Sequence, residues 1–81
     1  MRTQLELWQV VKYNFDEYFR SGLCQLINKL HILNIITFSE RKSLRNELSG
    51  YGNDKVYFIG EISDPKPRLE FIDKMIKNHS Q

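Results

Sequence analysis

Leu23-Cys24-Gln25-Leu26-Ile27-Asn28-Lys29-Leu30-His31-Ile32-Leu33-Asn34-Ile35-Ile36-Thr37-Phe38-Ser39-Glu40 is the stretch that decides the fold. Leu23, Leu26, Ile27, Leu30 and Leu33 recur at three- and four-residue spacing, the period of one helix face rather than the alternation of a strand. Cys24 sits beside that face as a small hydrophobe. Asn34 tolerates a left-handed backbone and can end the helix, and Ile35-Ile36 cross the gap. Thr37 followed by Glu40 is a capping box, in which each side chain satisfies a backbone N–H of the other residue. The spacing predicts helices over 22–34 and 38–49. Phe38, Leu44 and Leu48 are expected to face inward, and Arg41, Lys42 and Arg45 outward. Gly50 and Gly52 stop the second of these helices.

Upstream, Thr3 and Glu6 form another capping box, and Leu5, Trp8, Val11, Phe15 and Phe19 continue at helical spacing. They predict a helix over 3–19. Leu7, Val10 and Tyr18 widen its apolar face beyond what a small monomer easily hides, so Leu7, Trp8, Val10, Val11 and Tyr18 are expected to form an oligomer interface in a homo-oligomer. Ser21 suits an N-cap and Gly22 a change of direction. Downstream, Val56-Tyr57-Phe58-Ile59 predicts a short extended or β segment near 55–59. Asp64-Pro65-Lys66-Pro67 starts a last helix over 65–78, because Asp caps and proline is tolerated in a first turn. Leu69, Phe71, Ile72, Met75 and Ile76 give it an apolar face, and residues 78–81 are expected to fray. The expected fold is mainly α, a compact four-helix single domain over 1–81 with that one extended segment.

The chain has 81 residues, 41% hydrophobic and 27% charged. This is too apolar for a disordered segment and too short for two cores. No apolar run approaches the ~20 residues that cross a bilayer, and Met1-Arg2-Thr3-Gln4 leads into no signal-type segment, so a cytoplasmic protein without membrane contact is expected. One Cys and two His offer neither an internal disulfide nor zinc-ligand spacing. No metal and no cofactor is therefore expected. Twelve Lys and Arg against ten Asp and Glu leave a net charge of +2, with the excess in residues 41–81.

No constellation of nucleophile, base, paired carboxylates or phosphate-cradling glycines survives a spacing test, so the sequence predicts no enzyme. Gly50-Tyr51-Gly52 lacks the third glycine and the Lys-Ser/Thr of a P-loop. Cys24 and His31 are two helical turns apart, about 10 Å, beyond hydrogen-bond reach. Asp16-Glu17 reads as a solvated acidic pair. The chemistry that remains is basic and aromatic. Arg41, Lys42 and Arg45 share a helix face, Lys66 and Arg68 open the last helix, and Tyr51 and Tyr57 lie between them, with Arg68 open to either of two roles, an external contact or a structural one that pins the last helix to Asp64 and the loop before it. Together they suit an anionic nucleotide or an acidic protein patch. The alternative is a small helix-turn-helix DNA-binding regulator, disfavoured because the third helix is expected to expose no Asn or Gln base-readers.

Gly22-Leu23-Cys24, Leu26-Ile27, Leu30, Ile35-Ile36-Thr37, Glu40, Leu44 and Pro67-Arg68-Leu69-Glu70-Phe71-Ile72 resemble a loose group of small uncharacterised phage and prophage proteins, over most of residues 21–76. Leu30 to Leu48 is also similar to the helical hairpin of short C-terminal domains on bacterial proteins, which lack the flanking helices. The phage resemblance implies no catalytic residue or cofactor. It implies a context, that of accessory proteins working stoichiometrically in the host cytoplasm. Such proteins bind and block a host enzyme or defence factor, or sequester a nucleotide signal.

Overall fold

The computed structural model describes residues 2–18, 22–50 and 64–81. These residues form four helices, α1 (Gln4–Phe15), α2 (Leu23–Ile32), α3 (Phe38–Ser49) and α4 (Lys66–His79), with no strand among the described residues. The expected extended segment at 55–59 lies outside them. The mainly α reading holds.

Both capping boxes form. Thr3 Oγ1 accepts from the Glu6 N–H at 3.2 Å while the Glu6 carboxylate accepts from the Thr3 N–H at 2.8 Å. Thr37 and Glu40 repeat the exchange at 3.1 and 2.9 Å. Asn34 ends α2 as its residue type predicts, with φ of 61°. That left-handed step lets the Asn34 N–H donate to His31 O at 3.0 Å and the Ile35 N–H to Leu30 O at 2.9 Å, the paired bonds of a Schellman motif.

Boundaries depart from expectation at three places. α1 stops at Phe15 rather than 19, because Asp16 and Glu17 put negative charge at the unfavourable end of the helix dipole. A turn then brings Tyr18 back against the core, where Lys29 Nζ lies 5.0 Å from its ring centroid. α2 is capped by the extended backbone of Gly22 without a side-chain bond, while Ser21 lies outside the described residues. α4 begins at Lys66, whose N–H donates to Asp64 Oδ1 at 3.0 Å, and it does not fray at Asn78. It runs through His79 because the His79 ring is tied to α3.

α1 packs against all three other helices, most extensively against α4, and α2 pairs with α3. Trp8 and Phe71 meet edge to face at 5.8 Å. Lys12 Nζ and Asp73 Oδ1, 2.7 Å apart, are both about half exposed, so this pair adds at most ~1 kcal/mol. Apolar burial holds the helices together instead. Leu7, Trp8 and Val11 are buried within the chain itself, with Val10 and Tyr18 packed at the edge of the same core. Leu7, Trp8 and Val11 are thus covered within the chain, while Val10 and Tyr18 keep partial exposure. The buried residues of α1 do not form the expected oligomer surface.

Polar groups complete this core. Glu47 Oε1 accepts from Trp8 Nε1 at 2.6 Å and from Gln4 Nε2 at 2.9 Å, and Glu47 Oε2 lies 2.7 Å from His79 Nε2. One carboxylate therefore joins α1, α3 and α4. Ser43 Oγ extends the network by donating to Gln4 Oε1 at 2.7 Å. Glu40 is 2% exposed and accepts from Arg2 as well as Thr37, through the Arg2 N–H at 3.1 Å and its guanidinium at 3.0 Å. Burial pushes the Glu47 carboxyl up, but its three hydrogen bonds outweigh burial and hold it below the ordinary 4.5. The Thr37 N–H bond lowers Glu40 below 4.5, with Arg2 adding to the effect against burial.

Two outcomes are expected. Glu47→Ala leaves the buried Trp8 indole N–H unpaired and should cost about 2–3 kcal/mol, read by urea unfolding with Trp8 fluorescence. Both carboxyls titrate lower folded than unfolded, so their contribution is complete above pH 4.5 and is lost as pH falls through the depressed values. Wild-type stability should decline below pH 4.5, and the Glu40→Gln/Glu47→Gln double variant should show a flatter acid limb.

Candidate functional site

The buried stripe of α3 is Glu40, Leu44 and Leu48, one residue per turn. Phe38, Lys42, Arg45, Asn46 and Ser49 fall on the opposite side by the 3.6-residue period. Phe38 is accordingly not in the core but 57% exposed, contrary to the inward position expected from its apolarity. Leu33 is also exposed, at 46%, because the Schellman turn carries it off the α2 face, and Ile32 beside it is 75% exposed.

The outward residues of α3 build a face bordered by α2 through His31 and Asn28. Phe38, Arg41, Lys42, Arg45, Asn46 and Ser49 line an open groove of about 350 Å3. The Arg41 guanidinium lies 5.2 Å from the Phe38 ring centroid, and the His31 ring meets Phe38 edge to face at 6.0 Å. Arg41 Nη1 also donates to Asn28 Oδ1 at 3.3 Å, and its buried Nε has no acceptor among the described residues. Phe38 is thus an exposed ring braced by α2 and α3 together.

Among the described residues the charge on this face has no acidic partner. Neither Arg41, Lys42 nor Arg45 pairs with a carboxylate among the described residues, since Glu40 is engaged by Arg2 and Glu47 by His79. Like charges at i,i+3 and i,i+4 cost ~0.2–0.5 kcal/mol per pair. Arg41 sits in the first turn of α3, where the helix dipole disfavours a cation. Stability alone does not account for such a face.

Of the seven residues expected to bind a ligand, the structure brings together Arg41, Lys42 and Arg45. Tyr51 and Tyr57 lie outside the described residues. Lys66 is exposed at the start of α4. Arg68 is 0% exposed and its side chain is engaged, so it is a core residue and not a surface contact. Its place was signalled by period, since Arg68, Phe71, Ile72 and Met75 form the buried stripe of α4. Sequence reasoning missed Ile32, Leu33 and Phe38 as exposed groups. It also missed Asn46, an exposed amide where none was expected.

Other chemistry is limited. Cys24 is partly buried against the core while His31 faces Phe38, so they form no pair. Among the described residues no group of three or more His, Cys, Asp or Glu could hold a metal ion, and no helix is long and apolar enough to cross a membrane. No protein-family model, curated protein or solved structure matches the chain.

Stability separates these roles. Arg45→Ala should change stability by no more than ~0.5 kcal/mol, whereas Arg68→Ala should cost about 2–3 kcal/mol. Thermal melts of the two variants check the assignment.

Proposed function

We propose that the protein is a non-enzymatic binding protein that engages an acidic protein surface through the α2–α3 face. The observation that carries this reading is the exposed Phe38 ring in one groove with Arg41, Lys42 and Arg45, none of which pairs with a carboxylate among the described residues, while Ile32 and Leu33 are exposed at the end of the preceding helix. Apolar and aromatic anchors beside a charged rim are the anatomy of a protein interface. The groove is open, whereas a small-ligand site buries most of its ligand's surface. A two-fold dimer through this face would set one basic patch against another. The partner is therefore a different, acidic chain. The resemblance of residues 21–76 to small phage and prophage proteins supplies a context, in which the bound partner is a host enzyme or defence factor held out of action.

A photo-cross-linking side chain at Ser49, on the rim of the groove, tests this reading in cells. The expected product is a defined protein adduct whose cross-linked peptide is rich in Asp and Glu, and which is lost in Arg41→Glu/Arg45→Glu while the fold is retained. An adduct that survives the charge reversal would sink the reading. A sequence-preferring DNA duplex bound with a steep salt slope would replace it with the DNA-regulator alternative, in which Asn46 reads a base. A retained mass of a few hundred daltons in native mass spectrometry would replace it with nucleotide sequestration.

A further inference from the structure

Phe38, Lys42, Arg45 and Ser49 follow one another at spacings of four, three and four residues, which sets them in a straight stripe along the outer side of α3. Arg41 flanks the stripe on the α2 side, where its Nη1 reaches Asn28, and the helical period puts Asn46 on the other flank. All six residues line the one groove. From Phe38 to Ser49 the stripe is about 16 Å long, three turns of helix. Its apolar anchor stands at the N-terminal end, where His31 and Arg41 brace the Phe38 ring, and its cations lie along the middle.

The backbone beneath this stripe is closed. Thr37 and Glu40 cap the start of α3, the Gly50 N–H donates to Glu47 O at 3.1 Å at its end, and there is no strand edge among the described residues. A partner chain therefore meets side chains here and finds no ladder to extend. Those side chains recur once per turn, about every 5.4 Å. Residues on one face of an extended segment recur about every 6.6 Å, so over three intervals such a segment falls about 3–4 Å out of step. A second helix keeps step, and it satisfies its own backbone N–H and C=O groups as its face leaves water. We infer that the acidic partner docks along α3 as an amphipathic helix, with a bulky apolar side chain against Phe38 and Asp or Glu one and two turns further along for Lys42 and Arg45. Helices crossing at about 20° stay side by side long enough to make all three contacts. The inference rests on the acidic-partner reading and adds to it the element that carries the acid and the spacing of its contacts.

Random peptides of about fifteen residues, long enough to become helical on binding, are selected against the intact protein and supply the probe. The enriched consensus should place Asp or Glu three or four residues, and again seven residues, from a Leu, Ile, Phe or Trp, in either chain direction. Labelled with carbon-13, it should take on helical Cα shifts when the protein is added, and a proline at its centre should weaken binding at least tenfold. Phe38→Ala and Arg45→Glu, both at exposed positions, should each weaken it by about tenfold or more. An acidic peptide that is sensitive to Arg45→Glu but stays extended when bound and tolerates the central proline overturns this inference and leaves the acidic-partner reading standing. Indifference of such a peptide to Phe38→Ala has the same effect, since the stripe then lacks its anchor. Peptides without acidic residues, indifferent to Arg45→Glu, overturn both. A selection that enriches nothing also overturns the inference, because a single helix should bind without the rest of its protein.

Discussion

Glu47 is the residue on which the arrangement of the helices turns. Its two oxygens receive Trp8 and Gln4 from α1 and contact His79 from α4, so one carboxylate on α3 fixes the registers of three helices. Apolar contacts alone tolerate sliding, because a methyl group finds a comparable neighbour one residue away. A buried indole N–H does not, since losing its acceptor costs ~1–3 kcal/mol. With α1 and α3 locked in this way, the stripe of Glu40, Leu44 and Leu48 faces inward and the opposite side of α3 is forced into solvent. The basic groove is thus a by-product of the core's register. Its position is set by residues that never touch it.

That dependence explains what could be read from the sequence and what could not. Helix starts were legible because a capping box is a contact between residues three apart, and the α2 stop was legible because Asn34 is one of the few residue types at ease in a left-handed turn. The α3 face was assigned on the assumption that apolar means inward. Glu40 and Phe38 break it in opposite directions, and both exceptions depend on partners distant in sequence. Glu40 is buried because Arg2 arrives from 38 residues away to bind it, and Phe38 is exposed because the inward stripe passes through Glu40 instead. Arg68 repeats the lesson on α4, where its period agreed with the core and its charge argued against it. The basic trio was visible as a local pattern. The exposure of Ile32 and Leu33 was not, since it depends on how the Schellman turn leaves α2.

The surface that results is built for contact at some expense of stability. Three cations without a carboxylate among the described residues and three bulky apolar groups in water are each mildly unfavourable, and all of them lie along the end of α2, one turn and the helix after it. The turn itself is rigid. Backbone bonds from Asn34 and Ile35 close it, Thr37 and Glu40 cap the helix beyond it, and Arg41 is held by Asn28 and Phe38. A rigid platform loses little conformational freedom on association, which favours affinity for a given contact area.

The contact between α1 and α4 has a consequence for synthesis. Trp8 meets Phe71 and Lys12 meets Asp73, pairs separated by more than sixty residues, whereas α2 and α3 find each other across a short turn. At ribosomal speeds of ~5–20 residues per second, α4 follows α1 by about 3–12 s. During that interval the hairpin of α2 and α3 can form, but the side of α1 that belongs to α4 has nothing to cover it. The nascent chain passes through a stage in which an indole and its apolar neighbours are open to chaperones or to other nascent chains, and translation rate therefore sets how long this chain is vulnerable to aggregation.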